Sequence, residues 1–526
     1  MRQIAFFTIA FLFCTTVIDA QNNTNPVKNP ETNDFAPTLT FLSSGWMEGR
    51  ETGTRGSQMA AGYIVSMMQF VGLQPFGSQL VSQDASDKKQ GYFQDFELVR
   101  YETEAATLFI SNLKPGKHKP IQLLPGSDFE LTNCFNSQQA EAPLVFAGYG
   151  ISAAGKGYDD YKNLDVQGKA VVILKGFPGQ GDTVSVAWRK FGNPSDREGT
   201  SLEAKLTNAR QHGAVAVILV EPIDKPLSSG NHENKKNAKP VYPEVEYFLY
   251  GNNDNSSIPC FKTDAYSTAQ MLSGTGIDLS VFEKNTARTL TPASGTLKDK
   301  MVRFAVTVKT DRIPVRNLLG IIAGKDTTRS VIIGAHYDHL GRRDSLIYYG
   351  ADDNASGVAG MLALARKWKE SGEKPPCNLV FAAWAAEEKG LLGSEYFAQF
   401  LEKQPHNMIL YINLDMISRS ESTDTARRQL SIGTRTPDEN LREIARNSNA
   451  QLLRQLVLDL WDVTGHSGSD YASFTAKNIP IMTFNAGLHD DYHTPRDVAE
   501  KVDLLKMADV LKVVNACLME FLNQSK

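Results

Sequence analysis

Cysteine, cationic blocks and long apolar runs are all scarce in this chain of 526 residues. The cysteines are Cys14, Cys134, Cys260, Cys377 and Cys517, and no two form a C-x-x-C pair, which leaves a structural thiolate zinc site without ligands. Lysine and arginine number 55 against 59 acidic residues, a formal net charge of -4, and no basic stretch interleaves with aromatics. Nucleic acid is therefore not an expected partner. Past the first twenty residues no apolar run approaches the ~20 residues needed to cross a bilayer, so no stable membrane span is expected.

The N-terminus is the exception to this scarcity. Arg2, an apolar run from Ile4 to Ile18, and Ala20 before an Asn-rich segment have the layout of a secretory signal peptide cut near Ala20 and Gln21. The expectation is an exported protein, periplasmic or extracellular. Phe13, where lipidation would call for a small residue, argues against modification of Cys14. Export tolerates disulfides, which keeps a Cys134 to Cys260 bridge open, whereas Cys377 and Cys517 stand in apolar surroundings and read as buried small residues.

The length suits two to four domains. After the signal peptide (1–20) and a linker (21–34), "SQMAAGYIVSMMQFVGLQPFG" carries helical apolar spacing and "ATLFISNL" reads as a strand, within a first segment at 35–119. Between 120 and 285, "APLVFAGYGI", "GKAVVILKGF" and "VAVILVEP" read as buried strands and "SLEAKLTNARQHGA" as a helix, a small α/β unit without a metal-like cluster. From 286 to 526 four runs recur: "SVIIGAHYD", "NLVFAAWAAEE", "MILYINLDM" and "IPIMTFNAGLHDDYH". They are nearly continuous in apolar residues, which suits strands buried on both faces of a mostly parallel sheet flanked by helices such as "SGVAGMLALARKWKESG" and "DENLREIARNSNAQL".

Each of the four runs ends in His, Asp or Glu, and sheets of this kind place their sites where the carboxyl ends of strands converge. The inventory is His336, Asp338, His339, Asp352, Asp353, Glu387, Glu388, Asp415, His489, Asp490, Asp491 and His493. Imidazole with carboxylate and no thiolate suits a zinc-like divalent ion, and this many acids at one edge would repel one another strongly without cations. Each piece also has a plain structural reading. Asp352 and Asp353 before Asn354 could cap a helix, and Glu387 with Glu388 could form a solvated turn. Asp415 resists such a reading, because a carboxylate inside "ILYINLDMI" is costly unless paired or bound to metal.

Together, "GAHYDHLG", "GADDNASG", "AAEEKGLLGS", "NLDM" and "YHTPRD" resemble, in order and spacing, the co-catalytic di-zinc exopeptidases that include secreted bacterial aminopeptidases and glutamate carboxypeptidase. "FAGYGISAAGKGYDDYKNLDVQGKAVVILKG" with "ARQHGAVAVILV" resembles the protease-associated domain inserted into many members, and "GRETGTRGSQMAAGYIVSMMQFVGLQP" their N-terminal helix region. The resemblance implies a zinc aminopeptidase-like α/β fold with the inserted domain at 120–285. It also implies two zinc ions bridged by Asp353 and a water or hydroxide. One ion would be held by His336, Asp353 and Asp415, the other by Asp353, Glu388 and His493. Glu387 would be the general base, Asp338 would orient His336, and Tyr492 would polarise the scissile carbonyl. Members also tend to have a cis peptide after the bridging Asp, here between Asp353 and Asn354. The implied function is an exported aminopeptidase acting on peptide substrates. The alternatives are a carboxypeptidase or dipeptidase on the same scaffold, for which Arg342, Arg343 and Arg435 could hold a substrate carboxylate, a one-zinc glutaminyl cyclase, and a receptor-like homologue that has lost its metals. The chain departs from the family at "SDYASF", where Tyr471 replaces a histidine near the substrate pocket, with His466 nearby. The four-residue spacing of His489 and His493 imitates H-E-x-x-H, but Gly487 and Pro495 bracket a loop and no Glu stands at the base position, so only His493 is assigned to metal.

Overall fold

The computed structural model describes residues 32–77, 91–112, 119–221, 242, 245–251, 257–401, 407–464 and 468–525. The signal-peptide reading, Cys14 and His466 lie outside these. Two compact units emerge: one comprises residues up to 76, 318–384 and 405–526, and the other comprises 77–317 and 385–404.

In the first unit the four apolar runs become four adjacent, mutually parallel strands. Ile481–Asn485, Asn407–Leu414, Asp326–His336 and Cys377–Trp384 lie side by side in that order. Every residue of Cys377–Trp384 is buried, which is why the run shows no polar alternation. Antiparallel partners flank this block: residues 318–322 of the long strand Gly295–Ile322 pair with Cys377–Trp384, and Gln429–Thr434 pairs with Ile481–Asn485. Val457–Asp462 completes that edge, parallel to Gln429–Thr434. The helices Arg55–Val71, Gly357–Ser371, Glu439–Ala450 and Leu504–Gln524 belong to the same unit. Gly357–Ser371 buries most of its length, so its sequence is apolar nearly all round. Gly357 is obligatory where that helix begins, because a Cβ there would strike the carbonyl oxygen of Leu414.

The second unit holds its own parallel core. Gln138–Phe146, Ala170–Leu174, Ala216–Val220 and Cys260–Thr263 pair in parallel, with Phe129–Thr132 antiparallel at the end. The strands "AVVIL" and "AVILV" are buried at every position. The helix Leu202–Gln211 connects them, capped by the Ser201 hydroxyl, which accepts from the Ala204 N–H. The fold is thus a mixed α/β architecture with a mostly parallel sheet flanked by helices and a smaller α/β domain. Cys134, Cys260, Cys377 and Cys517 are buried free thiols, so the bridge left open between the first two is not formed. No helix among the described residues is long and apolar enough to cross a membrane.

Candidate metal centre

At the carboxyl edge of the first unit's parallel strands, polar side chains collect in a buried setting. His336 is the last residue of its strand and 1 % exposed, and Asp353, 3 % exposed, sits in the Ala351–Ser356 turn leading into the Gly357–Ser371 helix. Asp415 follows the last residue of Asn407–Leu414, and His493 lies in the loop after Ile481–Asn485. His336 Nε2 stands 3.3 Å from Asp353 Oδ1 and 3.4 Å from Asp415 Oδ1, while His493 Nε2 stands 3.2 Å from Asp353 Oδ2. The two oxygens of Asp353 therefore face different imidazoles. Asp353 Oδ2 is buried and makes no hydrogen bond. Burial pushes the Asp353 carboxyl upward, but the His339, His336 and His493 rings overcome this and hold it well below the usual carboxylate range.

The protein fixes these groups from behind. Ser469 Oγ donates to Asp415 Oδ2 at 2.6 Å and accepts from Asn413 Nδ2 at 3.0 Å, while the Asn485 amide donates to the Asp415 carbonyl. Asn354 links the Asp353 and Asp415 segments: its Nδ2 donates to Leu414 O, and its Oδ1 accepts from Gly357 N, so Asn354 caps the helix. Asp352 instead accepts from Ser418 N, Ser418 Oγ and Arg419 N. His336 Nδ1 lies 3.2 Å from the backbone oxygen of Asp338 and 4.0 Å from its carboxylate, which accepts from Thr52 Oγ1 at 2.7 Å. Arg50, fully buried, donates to the carbonyls of Leu42, Tyr337, Tyr349 and Gly350 and so braces the backbone on either side of His339 and Asp353.

Three of the positive-φ non-glycine residues lie at or near candidate ligands. Ala386, Met416 and His493 adopt positive φ of 58°, 57° and 54°, a region that costs a non-glycine residue about 1–2 kcal/mol. Each is a candidate ligand or stands one or two residues from one. The Asp353–Asn354 peptide is cis.

Glu387 and Glu388 belong to the 385–404 segment of the second unit. They begin three residues past Trp384, the residue registered opposite His336 across the parallel strands, in a turn where Gly390 N and Leu391 N donate to Glu387 O. Tyr492 is 38 % exposed, its ring stacked on His493 with centroids 3.8 Å apart. His489 is buried in its loop, with Nε2 3.5 Å from Asp352 and 3.8 Å from Asp497. Tyr471, 8 % exposed, packs edge-on against Trp461. Arg435 is held by both oxygens of Asp438, and Arg343 pairs with Glu51.

Asp497 and Ser469, both buried, and Arg419, partly buried, are the polar partners whose placement sequence reasoning did not give, while His339 was in the inventory without a role. His339 Nδ1 lies 3.6 Å from Asp353 Oδ2. Asp497 accepts the backbone N–H groups of Asp352 and Asp353, which ties the His493 loop to the Asp353 turn. For Asp497 the only signal was its place at the end of "YHTPRD".

The donor set of two imidazoles and two carboxylates, without thiolate and with one buried carboxylate oxygen making no hydrogen bond, fits a zinc-like divalent ion. Residues 317–518 match the model of Peptidase family M28, and residues 140–248 that of the PA domain. A glutamate carboxypeptidase 2 homolog of Caenorhabditis briggsae is 25 % identical over 401 residues, covering 65 % of this chain and 49 % of the relative. A probable leucine aminopeptidase of Trichophyton verrucosum is 28 % identical over 214 residues, covering 38 % and 55 %. The chain thus spans about half the length of these curated relatives. Among solved structures, an aminopeptidase from Aneurinibacillus sp. strain AM-1 superposes with a TM-score of 0.56 at 21 % identity, covering 93 % of both chains, a likeness of fold.

Proposed function

From a chain that carries a Peptidase family M28 domain over residues 317–518 and a PA domain over residues 140–248, we propose an exported zinc exopeptidase that removes the N-terminal residue of peptides. The observation that carries this reading is the split environment of Asp353, with His336, itself 3.4 Å from Asp415, at one oxygen and His493 at the other. Such a carboxylate suits a bridge between two ions. His336, Asp353 and Asp415 would hold one, and Asp353, His493 and Glu388 the other. When bound, the ions would supply Lewis acidity and a water of lowered pKa.

The residues divide the remaining work. Glu387 takes the proton of the attacking water and returns it to the leaving amine, the role its place beside Glu388 supports, since consecutive loop side chains point apart. Tyr492, half-exposed and stacked on His493, offers its hydroxyl to the scissile carbonyl. The Asp338 backbone oxygen, 3.2 Å from His336 Nδ1, favours the tautomer protonated at Nδ1, in which Nε2 carries the lone pair that would ligate.

A carboxypeptidase would need a cation free to hold the substrate's terminal carboxylate. Arg435 is engaged by Asp438 and Arg343 by Glu51, which leaves Arg342 as the one of the three named arginines that a carboxypeptidase could use. The test is hydrolysis of an aminoacyl anilide beside its N-acetylated counterpart. Cleavage of the first alone is expected, and equal cleavage of both, or release of C-terminal residues only, would remove the aminopeptidase reading.

A further inference from the structure

The stretch "LHDDYHTPRD" gives one residue to the proposed metal set, yet three of its other polar side chains, His489, Asp491 and Asp497, are buried, and Asp497 is the most enclosed of them at 0 % exposure. Its Oδ2 accepts from Asp352 N at 3.0 Å and from Asp353 N at 3.1 Å. Its Oδ1 accepts from Asp352 N at 3.2 Å and from Arg419 Nη1 at 3.3 Å, and its backbone oxygen accepts from Ala351 N at 3.2 Å. Arg419, four residues beyond Asp415, reaches with its other nitrogen to Asp491 Oδ2 at 2.8 Å, and Asp491 in turn takes Arg496 and Lys501.

One carboxylate thus ties together three segments. Its own loop carries His493, its N–H bonds hold the turn carrying Asp353, and Arg419 joins it to the segment that begins at Asp415. Bonds from a buried carboxylate to backbone N–H groups are charge-assisted and directional, so they fix the peptide plane from which the Asp353 side chain departs. We propose that Asp497 is a positioning residue that sets Asp353 at the right height between its two imidazole neighbours, so that both ions depend on it. The proposal rests on the two-ion reading above. Ser469, by contrast, bonds Asn413 and, of the proposed ligands, Asp415, and so bears on a single ion.

Zinc titration of the chelator-stripped full chain, followed by calorimetry and by metal analysis, distinguishes these cases, with the melting temperature of the stripped protein measured alongside. Asp497→Asn keeps the shape but sets an amide N–H against donors. It is expected to raise the zinc concentration for half-occupancy of both ions by about 10–100-fold, the usual effect of losing an outer partner of a metal ligand. Ser469→Ala is expected to shift only one. A purely structural role would lower the melting temperature and leave both zinc midpoints at the parental value. That result, or a shift confined to one ion, overturns the proposal. Should Asp497→Asn fail to fold, Arg419→Lys decides: it keeps the charge but loses the double contact, so a smaller shift of both midpoints supports the role and parental midpoints overturn it. A parent that binds fewer than two ions fails before any variant is compared, and then the two-ion reading and this inference fall together.

Discussion

The two units each bury charged side chains, and Asp160 of the second and Asp353 of the first are treated in opposite ways. In the second unit Asp160 is fully buried and hydrogen-bonded at both oxygens: Oδ2 accepts from Tyr149 N and Ile151 N, and Oδ1 accepts from the Tyr158 hydroxyl. Lys205, 2 % exposed, donates to the carbonyls of Leu174 and Gly176. In the first unit Asp353 is as deeply buried, but one of its oxygens makes no hydrogen bond and both face imidazole nitrogens. Buried charge closed off by backbone groups holds a fold together, whereas buried charge aimed at other ligand atoms is poised for something that is not protein. Burial pushes Asp160 up to about 7 and Lys205 down to about 7, shifts as large as those of many active sites, yet no open valence accompanies them. Perturbation alone therefore does not identify a site.

That contrast can be broken in several ways. The largest effect is expected from Glu387→Gln, which should keep fold and metal content while losing about 10²–10⁴-fold in turnover of an aminoacyl anilide, the range for a general base. Near-normal turnover would end its assignment. In the second unit, Lys205→Met leaves the carbonyls of Leu174 and Gly176 without their donor. A buried acceptor left unsatisfied costs about 1–3 kcal/mol. Denaturant unfolding should register that loss, while zinc content and specific activity of the folded fraction stay parental.

A pH series sharpens the same point. Lys205 has a folded pKa of about 7 against an ordinary 10.5, so between those values the unfolded chain binds more protons than the native one. Stability contributed by this site rises with pH through that window, and Asp160, deprotonated in both states above about 7, adds no opposing slope there. The slope should be absent in Lys205→Met, and its persistence would mean that another group is responsible. The smallest effect is expected from His489→Ala. Its ring makes no hydrogen bond and lies 3.5 Å or more from Asp352 and Asp497, so zinc content should be unchanged by metal analysis.

Much of the fold was legible because burial on both faces writes itself into a sequence. The four apolar runs became the four adjacent parallel strands, and the acids and imidazoles at their ends mark the edge where His336, Asp353, Asp415 and His493 meet. Elements that bury less were harder to see. Val457–Asp462 has no fully buried residue, and "VLDLWD" is a short run broken by Asp459 with no buried face to mark it as a strand. The Gly295–Ile322 strand alternates along most of its length and runs past the boundary between the two units, so its single span was not evident. The supporting residues were least legible of all. Asp497 works by accepting backbone N–H groups of residues 144 and 145 positions away, and such a partner leaves no spacing to read. His489 stands at the spacing of a metal pair, yet it faces Asp352 rather than the cluster of His336, Asp353 and His493.

The central claim is that Asp353 bridges two ions, and metal analysis of the parent and of Asp353→Asn, each freed of loosely bound metal, tests it most directly. The account predicts two zinc ions per parent chain and loss of both in the variant, with the chelator-stripped fold unchanged. A variant that keeps one ion at parental affinity, or a parent that holds only one, would contradict it.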